Sequence, residues 1–122
     1  MQSIYPVLRY PDAHAAIDRL RSAFDLTLHE LHEGPDGVVR HAQLGYRGGL
    51  VMLGTGPAPT VRPADDDYRL YVAVDDVDRH HERARAAGAE IVRPPFDTDY
   101  GSREYVARDP AGLVWSFGTY RP

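Results

Sequence analysis

Histidine is the residue in this chain with the widest chemistry near neutral pH, as acid, base or metal ligand, and the sequence contains six. Three of them, His14, His80 and His81, fall in segments with helical spacing of apolar residues. His80 and His81 are adjacent, so they project about 100° apart around a helix and cannot easily converge on one ion. We expect all three to be solvated surface residues.

The other three histidines fall in predicted strands. His29 and His32 are an odd number of positions apart, so strict alternation would place them on opposite faces. His41 has apolar neighbours that are expected to pack under a helix, which would turn His41 toward a cleft. An imidazole there could act as a general base or a hydrogen-bond partner, and the alternative is an ordinary hydrogen-bonded strand residue. His41 is therefore a candidate for catalysis, together with Tyr5 of the first predicted strand.

The same alternation predicts which side chains line the cleft. Apolar walls around a few polar groups are typical of small-molecule sites, in which methionine adapts its shape and tyrosine offers a ring and a hydroxyl. Arg69 stands out, because a buried cation needs an anion from the ligand or from a carboxylate such as Glu104 or Asp99. The predicted ligand-binding residues are Tyr5, Val7, Arg9, His41, Gln43, Leu50, Met52, Arg69, Tyr71, Tyr100, Tyr105 and Ser116.

The segment RPPFDTDYGSR, residues 93–103, is predicted to be a loop at the rim of this cleft. It combines two rigid prolines, two carboxylates and two aromatic rings, and loops of this kind often carry binding residues. Phe96 and Tyr100 could stack on a planar ligand. Alternatively, the same two rings close the bottom of the core or a dimer seam.

The elements that position these residues are predicted in the order β-α-β-β-β, which occurs twice. Asp12 is a helix cap before an apolar stripe that ends at Phe24, and Gly-rich turns separate the strands. The first copy is predicted as strand 3–10, a helix from Asp12 to about Phe24, and strands 26–33, 38–46 and 49–54. The second is predicted as strand 68–74, helix 76–87, and strands 89–93, 101–108 and 113–120. Trp115 and Phe117 are expected to face the helices as core residues.

A constant offset of 64 positions relates the two copies, as Gly48 and Gly112 illustrate. The same offset pairs His41 with Tyr105. A spacing kept through strand, cap, helix and turn indicates a tandem duplication. The run GTGPAPTVRPADDD between the copies is typical of a solvated connector. We predict a single domain over residues 1–122, with module 1 at 1–55, a connector at 56–67 and module 2 at 68–122.

Composition narrows the function further. The chain of 122 residues has no cysteine, which excludes disulfides and thiol catalysis, and all 14 of its basic side chains are arginine, which excludes a lysine Schiff base. A formal charge of −4 gives no reason to expect a nucleic-acid surface. No apolar run approaches the roughly 20 residues that span a bilayer, and the first residues lack the pattern of a signal peptide. Cytoplasmic location is the expectation.

The chain resembles the vicinal oxygen chelate superfamily, which includes glyoxalase I, bleomycin-resistance proteins and extradiol dioxygenases. The resemblance covers nearly all residues and rests on the paired modules and on the stretches LRYPDAHAAIDRLRSAFDL, VDDVDRHHERARAAGAEI and DPAGLVWSF. It implies an α+β fold, in which two tandem modules set their sheets side by side as a cupped mixed sheet around a cleft. It also implies a homodimer that completes or stabilises the cleft.

The resemblance assigns four metal-ligand positions, on the first and last strands of each module. This sequence has Tyr5, Met52, Arg69 and Ser116 there. A hard divalent ion needs carboxylate oxygens or imidazole nitrogens, and a nearby arginine would repel it. We therefore expect neither a metal nor another cofactor, and no metal-dependent glyoxalase or dioxygenase activity.

Three functional hypotheses follow. The first is a metal-free, dimeric binding protein that sequesters a small, partly aromatic or anionic organic molecule in the inter-module cleft. Bleomycin-resistance proteins sequester drugs in this way and so provide antibiotic resistance. The second is an enzyme, either a glyoxalase-type lyase or isomerase with unconventional ligands or an acid–base catalyst that uses His41 and Tyr5. The third is a structural module whose cleft is filled by its own side chains.

Overall fold

A computed structural model describes residues 2–58 and 68–122, so residues 59–67 of the predicted connector lie outside the described part of the chain. The order β-α-β-β-β is found twice, as predicted. The elements are β1 (Val7–Tyr10), α1 (Ala13–Phe24), β2 (Thr27–Glu33), β3 (Val39–Tyr46), β4 (Gly49–Thr55), β5 (Leu70–Ala73), α2 (Val77–Ala86), β6 (Glu90–Asp97), β7 (Arg103–Arg108) and β8 (Val114–Gly118). None of the described helices is long and apolar enough to cross a membrane.

Each module folds into its own four-stranded mixed sheet. The strand order is β1-β4-β3-β2 in module 1 and β5-β8-β7-β6 in module 2. The first and last strands of each module pair in parallel, whereas the other neighbours pair antiparallel. The predicted α+β class with two β-α-β-β-β modules is confirmed.

Both helices begin where the sequence places their caps. The carboxylate of Asp12 accepts a hydrogen bond from the Ala15 amide at 3.1 Å, and that of Asp76 accepts from the Arg79 amide at the same distance. Each cap satisfies one of the backbone donors that a helix start leaves without an intrahelical partner. The apolar stripe of α1 then lies against the sheets, and its last residue, Phe24, is fully buried.

The two modules share one core, which lies on the helix side of both sheets. The Phe24 ring of α1 lies 5.4 Å from the Trp115 ring and 4.8 Å from the Phe117 ring, both on β8 of the other module. Trp115 and Phe117 are at most 1% exposed, as predicted for core residues. Contacts between aromatic rings at these separations add to the hydrophobic stabilisation of the seam.

A buried carboxylate in the turn after β7 also joins the modules. Asp109 accepts hydrogen bonds from the Tyr10 hydroxyl of β1 at 2.6 Å and from the indole nitrogen of Trp115 at 3.0 Å. It also accepts from the backbone amides of Ala111 and Leu113. Burial, together with the charge of Asp109, raises the pKa of Tyr10, so its hydroxyl remains a donor.

His80 is buried, so the expectation that it is solvated was wrong. Its Nε2 lies 3.0 Å from the Phe24 carbonyl oxygen, its Nδ1 lies 2.6 Å from the Tyr105 hydroxyl, and its side chain is 7% exposed. Burial lowers the pKa of His80, which favours the neutral ring. Val77, His80 and Ala84 form the buried face of a helix with few apolar residues. His14 is exposed, as expected.

Two strand boundaries differ most from the prediction. β1 begins at Val7 rather than at residue 3, and β6 continues to Asp97 through two prolines that were expected in a loop. β6 is an edge strand, where proline is tolerated, and its pairing with β7 shifts between Arg93 and Phe96. The first half of segment 93–103 is therefore strand, and the connection to β7 comprises residues 98–102.

Candidate functional site

Each sheet has one face against the helices and one face turned away from them. We call the outward sides the module 1 face, which carries Val7, Arg9, His41, Gln43 and Met52, and the module 2 face, which carries Glu104, Val106 and Ser116. The assignment follows from pairing. Gln43 pairs with Met52 and Val106 pairs with Ser116, whereas the neighbouring residues on these strands are buried in the core.

The module 2 face contains a cavity of about 540 Å³, a volume within the usual range for small-molecule sites. All of its lining residues belong to module 2. Val106 and Ser116 lie side by side on β7 and β8, and the connection after β6 contributes the opposite wall. The module 2 cavity is lined by Arg69, Val92, Arg93, Phe96, Asp97, Thr98, Asp99, Tyr100, Glu104, Val106 and Ser116.

The hydroxyl of Ser116 is the unusual group in this cavity. Ser116 is 1% exposed, and its Oγ has no hydrogen-bond partner among the described residues. Buried polar groups in folded proteins nearly always have a partner, and one without it costs about 1–3 kcal/mol. Ser116 was a predicted site residue, and the structure places it in the cavity with a hydrogen bond still to make.

A buried carboxylate lies on the same face. Glu104 is 6% exposed and accepts a hydrogen bond from the Tyr100 hydroxyl at 2.8 Å, and this bond is the main reason that the pKa of Tyr100 is raised. Gly118 makes room for this group, because a Cβ there would lie 2.7 Å from both the Glu104 Cγ and the Tyr71 hydroxyl. Burial raises the pKa of Tyr71, and the charge of Glu104 raises it further.

Aromatic rings surround this carboxylate. The Tyr120 ring lies 6.4 Å from that of Tyr71 and 6.0 Å from that of Tyr100. The Arg93 guanidinium lies 3.5 Å from the centroid of the Phe96 ring. Phe96 and Tyr100 both line the cavity, where their rings could stack on a planar ligand, as in the first alternative for segment 93–103. The arrangement offers flat apolar surfaces next to a few polar groups.

Arg69 lines the same cavity but is exposed rather than buried. It therefore does not require a buried counter-ion, and the prediction of a buried cation was wrong. Within the described part of the chain it has no ion pair with Glu104 or Asp99. A solvated guanidinium beside an apolar cavity can still pair with an anionic group of a ligand.

Polar side chains occupy the module 1 face. The Nε2 atoms of His41 and Gln43 lie 3.0 Å apart, and the ring centroids of His32 and His41 are separated by 5.9 Å. His29 lies on this face as well, because its Nε2 would be 2.4 Å from a Cβ on Gly45. The prediction that His29 and His32 face opposite sides was wrong. A register shift after Leu28 interrupts the alternation of β2.

Arg9, Val7 and Met52 complete the module 1 face. The Arg9 side chain lies across Gly54 and Gly56, since a Cβ at either glycine would come within 3.1 Å of it. Val7 is 52% exposed. In a single chain these side chains border solvent and do not line the module 2 cavity.

Tyr105 does not lie on the module 2 face, so its placement in the cleft was wrong. It is fully buried and stacks on the Phe117 ring at 5.0 Å. The cause is a bulge in β3, where Glu33 pairs with Val39 and the next pair is His32 with His41, so Arg40 is skipped. Strand β7 has no counterpart of this bulge opposite Asp97 and Phe96. Glu104, not Tyr105, is consequently the counterpart of His41.

The predicted residues therefore do not converge on one cleft within one chain. Arg69, Tyr100 and Ser116 line the module 2 cavity, and Tyr71, which pairs with Ser116, has its hydroxyl beside Glu104 on the same face. Leu50 and Tyr71 also line a separate cavity between the modules. The Tyr5 hydroxyl donates to the Gln2 carbonyl at 2.7 Å. No hydrogen bond of the described residues joins Tyr5 to His41, the pair considered for catalysis.

The residues present do not fit a metal ion at the four positions that the family resemblance assigns. They are a phenol engaged with a backbone carbonyl, a thioether, an exposed guanidinium and a buried hydroxyl, at Tyr5, Met52, Arg69 and Ser116. These groups lack the carboxylates and imidazoles that zinc, magnesium or manganese sites use. Among the described residues, no group of three or more histidine, aspartate or glutamate side chains is arranged to hold a metal.

Comparison with known proteins gives matches over almost the whole chain. Residues 4–117 match the sequence model of the Glyoxalase/Bleomycin resistance protein/Dioxygenase superfamily. The crystal structure of TioX from Micromonospora sp. ML1 is similar, with 35% sequence identity, a TM-score of 0.79, and coverage of 99% of this chain and 98% of that one. Uncharacterized protein Rv0887c of Mycobacterium tuberculosis is 35% identical over 95% of this chain and 73% of its own length.

More distant structures share the fold. The fosfomycin resistance protein FosX from Mesorhizobium loti has 18% identity and a TM-score of 0.76, over 98% of this chain and 92% of that one. Glyoxalase I from Zea mays has 20% identity and a TM-score of 0.78, over 99% of this chain and 45% of that one. At these identities the likeness concerns the arrangement of the modules and says nothing about the ligand.

Proposed function

Because this chain belongs to the Glyoxalase/Bleomycin resistance protein/Dioxygenase superfamily, we propose that it binds and sequesters a small organic molecule in the module 2 cavity without a metal ion. The observation that carries the proposal is the Ser116 hydroxyl, which is buried at the cavity and has no partner among the described residues. A bound ligand that accepts or donates a hydrogen bond there removes the cost of burying it unpaired.

The surroundings of Ser116 indicate the chemistry of the ligand. The rings of Phe96 and Tyr100 favour a planar, partly aromatic molecule. The Glu104 carboxylate accepts from a ligand hydroxyl or amine, and the exposed Arg69 guanidinium pairs with an anionic substituent. The ligand that fits best is an aromatic molecule with one hydrogen-bonding group near Ser116 and an acidic group at the rim.

A second copy of the chain is proposed to complete the site. The module 1 face presents Val7, which is 52% exposed, beside the cation of Arg9, and the segment before β1 adds the exposed apolar side chains of Ile4 at 86% and Tyr5 at 38%. The module 2 face carries the carboxylate of Glu104 at its cavity. In a homodimer, the module 1 face of one copy would cover the module 2 cavity of the other, which accounts for why the predicted residues are divided between two surfaces.

Native mass spectrometry of the untagged protein tests the dimer and reveals co-purified molecules. Isothermal titration with a panel of planar aromatic antibiotics and phenolic acids then tests binding. Replacing Val106 by Phe fills the cavity from β7 and should weaken a bound panel member at least about tenfold. The matched control is Val38→Phe, a change at a valine that is 36% exposed and does not line the cavity.

Three outcomes would contradict the proposal. They are a panel without any binder, a Val106→Phe variant that binds as the wild type does, and a bound molecule that is released chemically altered. The last result would favour an enzyme over a sequestering protein. A monomer that binds normally would remove the dimer from the proposal and leave the cavity in place.

A further inference from the structure

A second cavity, of about 270 Å³, lies at the seam between the modules on the helix side of the sheets. It shares no lining residue with the module 2 cavity, and we call it the seam cavity. Leu44 and Val51, a cross-strand pair of module 1, form one wall, and Val72 and Trp115 of module 2 form another. The seam cavity is lined by Gln2, Pro6, Leu26, Leu44, Tyr46, Arg47, Gly49, Leu50, Val51, Leu70, Tyr71, Val72, Ala73, Trp115 and Arg121.

Two arginines among these residues share a single carboxylate. Arg47 lies in the turn between β3 and β4, and its Nη1 donates to Asp75 Oδ2. Arg121 lies near the end of the chain, and its Nη2 donates to Asp75 Oδ1 at 2.8 Å. The nearby carboxylate of Asp25 pairs instead with Arg83 at 2.9 Å. Two guanidinium groups with one carboxylate leave a net positive charge beside an apolar cavity.

The exposure of this ion triad keeps it accessible to a ligand. The side chains of Arg47, Asp75 and Arg121 are 53%, 62% and 54% exposed. Each guanidinium has five N–H donors, so neither arginine is saturated by its bond to Asp75. A carboxylate could therefore be held between them by charge-assisted bonds without breaking the existing pairs.

We propose that the seam cavity binds a small amphipathic monocarboxylate, with its apolar part against Leu44, Val72 and Trp115 and its carboxylate at Arg47 and Arg121. The volume lies just below the usual range for ligand pockets, so the ligand is a medium-chain or single-ring acid. This site is independent of the module 2 cavity. The cavity and the triad both combine residues of module 1 and module 2, so the ligand would also bridge the modules.

Trp115 provides a direct readout, because it is the single tryptophan of the chain and lines the cavity. Titration with octanoate should change its fluorescence saturably. Octanamide, which has the same chain and no charge, should bind at least about tenfold more weakly. The difference between the two probes should shrink as salt is added, because the triad is exposed to solvent.

Substitutions in the triad should act in opposite directions. Asp75→Asn removes the carboxylate that competes for both arginines, so octanoate should bind several times more tightly. Arg121→Gln should weaken octanoate several-fold and leave octanamide unchanged. The control is Glu82→Gln, which removes the carboxylate of the exposed ion pair between Glu82 and Arg85 on α2. It should leave the affinity for both probes unchanged.

The opposite signs separate this site from a packing gap that happens to admit apolar molecules. A fluorescence signal that does not saturate with octanoate, equal affinity for the two probes, or weaker octanoate binding by Asp75→Asn would each overturn the proposal. All three substituted side chains are exposed, so loss of the fold is not expected to obscure the result.

Discussion

The two modules have the same element order, the same aspartate helix caps and the same strand pairing, but they place one residue differently. Module 1 has an additional residue, Arg40, in the bulge of β3, and the turn that follows β3 comprises only residues 47–48. Module 2 has no bulge there and has a longer turn at residues 109–113. The difference shows that a repeated backbone topology can be kept while a single shifted residue changes which side chains face outward.

The chemistry of the two faces diverges with this shift. At matching positions, the module 1 face has His41 and Met52, which are partly exposed, and the module 2 face has Glu104 and Ser116, which are buried. The long turn of module 2 folds back into the core through Asp109, whereas the module 1 turn is exposed. Module 2 therefore contains both the internal polar anchor and the cavity, and module 1 contributes an open surface.

The turns should differ most in stability. Asp109→Ala leaves the donors of Tyr10, Trp115 and two backbone amides without a buried acceptor, so we expect a loss of about 3 kcal/mol or more in the free energy of unfolding. The comparison aspartate is Asp36 in another turn of module 1, between β2 and β3, which accepts from the Val38 amide and pairs with Arg40 on the surface. Asp36→Ala should cost less than about 1 kcal/mol. Urea unfolding measures both values, and similar losses would contradict the comparison.

The same contrast shows how far the sequence could predict this molecule. The helix caps and the outward position of Ser116 follow from local patterns, so they could be predicted from residue types and spacing. Assigning Tyr105 to the cleft required knowing where β3 bulges, and cross-strand packing decides that. The shorter turn of module 1 was the sequence feature that could have revealed the bulge. The 64-residue offset holds at Gly48 and Gly112, so it must change within a neighbouring strand if the two turns differ in length.

The burial of His80 was missed for a related reason. Helix α2 is mainly polar, and its buried face became evident only through contact with Phe24 of the other module. In the same way, the exposure of Arg69 and the separation of the predicted cleft residues depend on how the modules pack on each other. Sequence periodicity describes each element against its own sheet and contains no direct information on that packing.

Histidines on the two helices should give opposite pH dependence. Burial lowers the pKa of His80, so its contribution to stability is complete above the unfolded pKa near 6.5 and is lost as the pH falls toward the folded pKa. The slope is at most about 1.4 kcal/mol per pH unit. The pKa of His14 is raised, mainly by its hydrogen bond to the Gly37 carbonyl. The contribution of His14 to stability is therefore complete below the unfolded pKa and is lost as the pH rises through the folded pKa.

The measurement is the free energy of unfolding by urea across this pH window. His80→Gln should remove a component that increases with pH, and His14→Gln should remove a smaller one that decreases with pH, because His14 is exposed. If both variants change the slope in the same direction, the assignment of a neutral, buried ring to His80 is wrong.

The smallest effect should come from Ser116, which occupies the position in module 2 that Met52 occupies in module 1. Ser116→Ala removes a buried hydroxyl that has no partner in the described part of the chain, so the free protein should gain about 1 kcal/mol of unfolding free energy. Ser102→Ala is the control, because the Ser102 Oγ accepts from the Tyr120 amide at 3.2 Å, and its loss should be destabilising. A gain in stability together with weaker ligand binding would mean that the hydroxyl is retained for a ligand, whereas a loss would mean that it already has a partner in the free protein.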